Sequence, residues 1–258
     1  MPGQANFEKG RKMKTVKKRT FSGMVCEQEV FSVSERTDTK KAQPRPRFRT
    51  PEERKIHRDK ISRQKHRQLF NANCSPKTLY STLTFSDDWE VHTFKEARKI
   101  RDNYFRRLLR ACPDAVIFIY MGRGKGTNRI HFHMVSNKIP KHVIRQKWWE
   151  GDVFHCKNLR EHNTYNGVDC GRDYTGLADY LWNHWTEEQG GHRWKATRNL
   201  KKPDEEAPTE VKRRYSEKRP PKAPPGFRLV AVHTTEWGYL NFKYVFFPTE
   251  APEAHERE

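Results

Sequence analysis

The sequence Arg129-Ile130-His131-Phe132-His133-Met134-Val135 alternates polar and apolar residues, which is the pattern of a β-strand with one buried face. Side chains alternate between the two faces of a strand, so His131 and His133 point to one side and Phe132 to the other. Two imidazoles about 7 Å apart on one face of a sheet can bind the same metal ion. The alternative is a half-buried strand whose polar face carries two histidines without a ligand.

The residues before this strand predict its partner in the sheet. The range 115–121 is a continuous apolar run of strand length, which is typical of a buried central strand. The range 122–128 contains three glycines and an asparagine, so it predicts a hairpin turn. It lacks the Gly-Lys-Ser/Thr end of a P-loop. We therefore expect an antiparallel pair of strands with the two histidines at the centre of the sheet.

The other periodic segments predict an α+β fold with a central antiparallel sheet flanked by helices. Residues 78–85 alternate as in a strand, and residues 94–109 carry the apolar stripe of a core helix. The remaining predictions are a short helix over 140–149, a strand over 152–156, a loop over 158–172 and a helix from Thr175 that carries Tyr180 on its polar face.

The segments outside this core differ from it in composition. Residues 1–49 are basic and aperiodic, which predicts a mobile arm with a short strand near 24–33. Residues 50–74 predict a solvated basic helix that begins with a capping box, Thr50 to Glu53. The compact domain is expected over 75–203, followed by a linker over 204–226, a C-terminal β-hairpin over 227–247 and a polar tail over 248–258.

The charge balance points to a polyanionic partner. The chain has 52 Lys and Arg against 32 Asp and Glu, a net charge of +20. No apolar run approaches the roughly 18 residues of a membrane-spanning helix, so we expect no membrane partner. The five cysteines have irregular spacing and no CxxC, which indicates free thiols in a reducing cytosol. A zinc site formed by His155, Cys156, His162 and Cys170 is an alternative whose spacing matches no common finger.

Several blocks, taken in order, resemble the catalytic domain of the HUH endonucleases, in particular the rolling-circle replication-associated proteins of the filamentous-phage and plasmid type. The resemblance covers about residues 66–205, and Asn71-Ala72-Asn73 within this range fits it. It is carried by Thr82-Leu83-Thr84-Phe85, Ile130-His131-Phe132-His133, the segment 148–159, Asp179-Tyr180-Leu181-Trp182-Asn183 and the basic stretch 193–203, where Trp194 is a candidate for base stacking.

The resemblance implies a ferredoxin-like HUH core over 75–203 and a nickase activity. His131 and His133 would hold a divalent ion, Mg²⁺ or Mn²⁺, and Tyr180 would be the nucleophile that forms a 5′-phosphotyrosine and later permits strand rejoining. The implied function is initiation of rolling-circle replication. The implied partners are single-stranded or origin DNA and the host replicative helicase and polymerase, in the cytoplasm of a bacterium that carries the plasmid or phage.

The chain departs from the family pattern at two positions. The family's third metal ligand, a Glu before the hairpin, is replaced by Tyr120 or Met121, so water, His155 or His162 are the remaining candidates. Asn183 stands where a Lys commonly follows the tyrosine by three residues.

Other interpretations remain open. Tyr174 is a second candidate nucleophile, but six residues of helix turn it by about 240° from Tyr180, so a single tyrosine is favoured. Two further alternatives for the whole chain are an HUH transposase or relaxase and a noncatalytic nucleic-acid-binding module on a decayed HUH fold.

Overall fold

The computed structural model describes residues 13–34, 50–89, 91–124, 126–234 and 239–247. They form an α+β structure with four α-helices, one short 3₁₀ helix and mostly antiparallel strands. The described residues divide into two compact units. The first comprises 13–21, 25–34, 50–59, 204–234 and 239–247, and the second comprises 22–24, 60–89, 91–124 and 126–203. Within the described part of the chain, no helix is long and apolar enough to cross a bilayer.

The described residues form the following elements in chain order. The helices are α1 (Pro51–Asn73), α2 (Phe94–Ala111), α3 (Lys141–Lys147) and α4 (Thr175–Trp182), and the 3₁₀ helix is Glu187–Gln189. The strands are β1 (Met13–Ser22), β2 (Val25–Ser34), β3 (Leu79–Phe85), β4 (Val116–Arg123), β5 (Ile130–Asn137), β6 (Gly151–Asn158), β7 (Thr164–Tyr165), β8 (Val168–Asp169), β9 (Trp194–Ala196), β10 (Asp204–Glu205), β11 (Thr209–Glu210), β12 (Phe227–Thr234) and β13 (Leu240–Phe246).

The second unit contains an antiparallel sheet in the order β6-β3-β5-β4-β9. The predicted hairpin is present, and β5 lies at the centre of the sheet between β3 and β4. Its register places His131 opposite Gly122 and His133 opposite Tyr120. The segment predicted as a loop, 158–172, contains the two-residue strands β7 and β8.

Helices pack on both faces of this sheet. On one face, α2 and α3 contribute Phe94, Ala97, Leu108 and Ile144 to a hydrophobic core with β3, β4 and β5, which we call cluster one. On the other face, α1 and α4 contribute Phe70, Ala178 and Leu181 to a second core around Phe118 and Val135, which we call cluster two. This second face carries the two histidines, so α1 and α4 determine how much of it stays open.

The amphipathic pattern of residues 94–109 correctly predicted α2. Thr93 and Glu96 form a capping box, which satisfies backbone N–H groups that lack a partner at the start of the helix. Ala97, Tyr104 and Leu108 are fully buried, as the apolar stripe requires.

Helix α1 is present where the sequence predicted a basic helix, but the prediction of full solvation is wrong for its last turns. Phe70 is fully buried, and His66 and Asn71 are buried with it. The Phe70 ring lies 5.5 Å from the Phe118 ring. One aromatic residue and one histidine four positions apart are enough to dock the helix, although too few apolar residues are present for an amphipathic pattern.

The structure of the first unit differs from two predictions about the flanking segments, those of a mobile arm and of a linker. Strand β2 confirms the short strand predicted near 24–33, whereas β1 occupies residues 13–22, which were predicted as part of a mobile arm. Residues 1–12 and 35–49 lie outside the described residues. The expected linker contributes β10 and β11, which pair with β1. The predicted C-terminal hairpin is present as β12 and β13, and β13 also pairs with β2. Long-range pairing of this kind leaves no local signal in a basic strand such as β1. The predicted tail, 248–258, lies outside the described residues.

Candidate metal centre and tyrosine

The two histidines of β5 lie on one face of the sheet and close together, as their spacing predicted. Their Nε2 atoms are 3.1 Å apart, and the ring centroids are 4.7 Å apart. His133 is buried and His131 is half-buried. The pair is therefore close enough to share one cation.

A third histidine, His184, completes the cluster. It follows the end of α4, and its ring lies 4.6 Å from the ring of His133 and 6.1 Å from that of His131. One ligand nitrogen from each of the three residues lies within 4.8 Å of the others. Within the described residues this is the one group of three or more histidine, cysteine or carboxylate side chains with such spacing.

The sequence analysis did not identify His184 as a ligand. The missed signal was its spacing, because a residue four positions after Tyr180 lies on the same side of a helix. The candidates that sequence reasoning offered instead lie elsewhere. His155 is exposed on β6, and His162 is paired with Asp169 at 2.9 Å.

Hydrogen bonds orient the imidazoles. His184 Nδ1 donates to the Tyr180 carbonyl oxygen at 2.7 Å, which leaves its Nε2 lone pair free. His133 Nδ1 is 2.8 Å from the Tyr80 hydroxyl and 3.3 Å from Thr82 Oγ1. His131 Nδ1 faces the Arg129 carbonyl at 3.5 Å. Each ring therefore uses Nδ1 for the protein, and the Nε2 atoms of His131 and His133 face each other.

Burial keeps two of these imidazoles neutral. Desolvation, aided by the neighbouring His131 and His184, lowers the pKa of His133 to about 3. The pKa of His131 is also lowered, again mainly by burial. A histidine must be neutral to bind a metal, so the cluster can accept a cation at neutral pH without first releasing protons from these two rings.

Gly122 on β4 makes room for His184. A Cβ atom at this position would lie 2.8 Å from His184 Cδ2 and 3.0 Å from His131 Nε2. Gly122 is also paired with His131, so it is the β4 position that faces the cluster beside this histidine. The strand supplies no ligand there, and an imidazole from the end of α4 fills the space.

Tyr180 lies beside the cluster with its side chain half-exposed, at 49%. Its ring is 4.3 Å from the His184 ring and 5.7 Å from the His133 ring. Its helix is held in place by its neighbour Asp179, whose carboxylate accepts hydrogen bonds from Arg63 and Arg67 of α1 at 2.6–2.8 Å. Burial disfavours ionisation of Asp179, but these two arginines more than offset it and hold the pKa of the carboxyl below its usual value.

Tyr80 is a second phenol at the site. Burial is the main reason that the pKa of Tyr80 rises to about 12, and the nearby Tyr180 adds to the effect. Tyr80 therefore stays protonated at neutral pH. Its ring stacks on His133 at 5.7 Å between centroids, so it orients the imidazole rather than serving as a nucleophile.

The structure does not bring the other candidates into the site. Tyr174 is buried in cluster two and donates its hydroxyl hydrogen to the Arg160 carbonyl at 3.0 Å. The alternative zinc group is dispersed, because Cys156 packs into cluster one while its neighbour His155 is exposed. Asn183 is exposed at the end of α4.

Trp194, predicted to stack on a base, instead packs within the protein. Its ring lies 5.4 Å from the His66 ring and 5.7 Å from the Phe118 ring, on the edge of cluster two.

No family model, curated protein or solved structure matches this chain. We therefore infer a function from the geometry and chemistry of the site itself.

Proposed function

We propose that this protein is a metal-dependent, tyrosine-using endonuclease of the HUH type that nicks and rejoins single-stranded DNA. The observation that supports it best is the half-exposed Tyr180 ring in contact with a three-histidine cluster. The order of strands and helices in the second unit is compatible with an HUH core, and initiation of rolling-circle replication on a plasmid or phage is the function that the resemblance adds.

The reactants in the proposed reaction are the DNA strand and the Tyr180 hydroxyl. The Tyr180 oxygen attacks the scissile phosphorus and loses its proton. The P–O3′ bond breaks, the 3′ oxygen leaves as a hydroxyl after taking up a proton, and the 5′ phosphate remains bonded to the tyrosine. The reverse attack by a 3′ hydroxyl rejoins the strand. Anchoring by Asp179 keeps the tyrosine at a fixed position beside the histidines, which reduces the entropic cost of attack.

A divalent cation held by His131, His133 and His184 would polarise the phosphate and offset charge on its nonbridging oxygens. The donor set is three neutral imidazoles without a carboxylate. Mg²⁺ prefers oxygen ligands, whereas Mn²⁺ and later transition metals accept imidazole readily. Of the two ions expected from the sequence, Mn²⁺ therefore fits this cluster better.

The experiment is to incubate the protein with single-stranded DNA and Mn²⁺ and to look for a covalent adduct by denaturing electrophoresis and peptide mass spectrometry. We expect an adduct on Tyr180 that disappears in Tyr180→Phe and on chelation with EDTA. Tyr174→Phe is the matched control and should retain the adduct. An adduct that persists in Tyr180→Phe would place the nucleophile elsewhere and overturn the assignment.

A second candidate is a noncatalytic nucleic-acid-binding module on the same fold. It is favoured by Asn183, which stands where HUH endonucleases commonly carry a lysine. If this second candidate is correct, Tyr180→Phe should bind DNA with unchanged affinity, and no variant should form the adduct.

A further inference from the structure

Strand β6 departs from the alternation of a regular strand beside the site. Val153 and Cys156 face cluster one, but the two residues between them, Phe154 and His155, are both exposed. The pairing with β3 shifts at this point, so that one residue of β6 is extra. This is a β-bulge at Phe154, a feature that re-aims side chains and is common next to active sites.

The register between β3 and β6 shows from which face of the sheet the bulge projects. His155 pairs with Thr82, and Thr82 Oγ1 lies 3.3 Å from His133 Nδ1. The next residue on the same face of β6, Lys157, pairs with Tyr80. The bulge therefore projects from the face that carries the histidine cluster. It lies two strands from β5, a distance on the order of 10 Å.

The ring of Phe154 is unusually exposed for its size. At 70% exposure it is the most exposed large hydrophobic side chain in the described part of the chain. Its ring centroid lies 4.5 Å from that of His155, at an interplanar angle of 74°. A flat apolar ring held by a bulge on a polar face, with Lys157 nearby, matches the stacking platforms that bind unpaired bases.

We propose that Phe154, supported by His155, stacks on a base of the single strand whose backbone enters the histidine cluster. The proposal rests on the proposed function, because it names a contact between the same site and its substrate. Stacking at a base while Lys157 attracts a phosphate would fix the register of the strand without requiring a particular base.

The features of β6 favour nucleic acid over a second copy of this chain. β6 is an edge of the sheet within the described residues. Its bulge and the exposed charges of Asp152 and Lys157 are devices that prevent an additional strand from pairing with an edge. A base needs only the face of the ring, and the bulge leaves that accessible.

Photo-crosslinking tests the contact directly. The full-length protein is irradiated in EDTA with a short oligothymidylate that carries 5-iodouracil, a base that crosslinks to aromatic rings stacked on it. We expect the crosslinked peptide to contain Phe154 and the crosslink to disappear in Phe154→Ala. Crosslinks confined to other residues would overturn the proposal.

Affinity for the same oligothymidylate without iodine gives a second readout. Phe154→Ala should weaken binding about tenfold, the effect of losing one stacked base. Phe154→Leu should weaken it similarly, and Phe154→Trp should restore it. Tyr165→Ala is the matched control, since Tyr165 is 66% exposed, and should leave the affinity unchanged. Full affinity in Phe154→Leu would overturn a role for ring stacking.

The two proposals fail in different ways. If the wild-type protein forms no adduct on Tyr180 but still crosslinks through Phe154, the nuclease function is overturned and the base-stacking site is retained. If the wild-type protein forms the adduct normally but gives no Phe154 crosslink, the base-stacking site is overturned and the nuclease function is retained. A wild-type dimer in sedimentation that becomes monomeric in Phe154→Ala would overturn the base-stacking site in favour of a protein contact.

Discussion

At the scale of single residues, Gly122 is the position whose substitution should affect the candidate metal centre most selectively. An added methyl group would meet the rings of His184 and His131 at 2.8 and 3.0 Å, closer than side-chain carbon atoms normally approach. We expect Gly122→Ala to weaken Mn²⁺ binding at least tenfold, as measured by calorimetry, while circular dichroism stays unchanged. Gly126→Ala is the matched control, because a Cβ there meets nothing within 4 Å. Equal Mn²⁺ affinity in both variants would show that His184 does not need this space.

His184 itself gives the most direct check on the composition of the metal centre. Removing one of three imidazole ligands should weaken Mn²⁺ binding by an order of magnitude or more, so we expect His184→Ala to resemble His133→Ala in a titration. His155→Ala and His162→Ala, which alter the candidates suggested by sequence, should bind Mn²⁺ as the wild type does. A normal titration for His184→Ala would reduce the centre to the two histidines of β5.

At the scale of elements, α1 and α4 form a pair that positions Tyr180. Asp179 is mostly buried and bonded to two arginines, so Asp179→Asn leaves both guanidinium groups without their anion. We expect a loss of about 1–2 kcal/mol in the free energy of unfolding, after allowing for the partial exposure of Arg63 and Arg67. Adduct formation should slow further than stability alone predicts, because the tyrosine helix loses an anchor. Asp88→Asn, at an exposed residue, should change neither urea denaturation nor the adduct rate.

The docked end of α1 should make stability depend on pH. His66 is surrounded by Phe70, Tyr120, Trp182 and Trp194, and its Nε2 lies 2.7 Å from the Tyr120 hydroxyl. Burial lowers its pKa to about 4, an effect that Asp179 opposes and that Arg67 and Arg63 increase. The unfolded chain, with an ordinary histidine pKa of about 6.5, then binds more protons than the folded chain between pH 6.5 and 4. This contribution to stability is complete above the unfolded pKa and is lost as the pH falls.

The expected change in the free energy of unfolding follows from the linkage between proton binding and folding. His66 should lower the free energy of unfolding by about 2 kcal/mol between pH 7.5 and pH 5. Urea denaturation followed by tryptophan fluorescence measures it, because two tryptophan rings contact His66. The pH dependence of His66→Gln should be smaller by that amount, and His142→Gln, at an exposed histidine, should retain the full dependence. Identical pH dependence in the wild type and His66→Gln would contradict this account.

At the scale of the whole molecule, the periodicity of the sequence predicted those strands and helices that have one clearly buried face. The alternation in β5 and the stripe of α2 each reflect one buried face, so the histidine pair and the core helix were predicted correctly. His184 reaches the cluster because α4 packs on the sheet, and one side of β1 pairs with residues from 204 onward. Such contacts join distant segments, and a single sequence carries little information about them.

The net charge of +20 predicts how the whole chain responds to salt. Each phosphate neutralised by a lysine or arginine releases counterions, so the logarithm of the single-strand affinity should fall linearly with the logarithm of salt concentration. With about five such contacts, the affinity should drop roughly 100-fold between 50 and 200 mM salt. Fluorescence anisotropy with an oligothymidylate measures the slope. Because Phe154 contributes stacking rather than charge, Phe154→Ala should shift the line without changing its slope, whereas Lys157→Gln should reduce the slope by about 0.7. A slope near zero for the wild type would mean that the positive charge does not contact the DNA backbone.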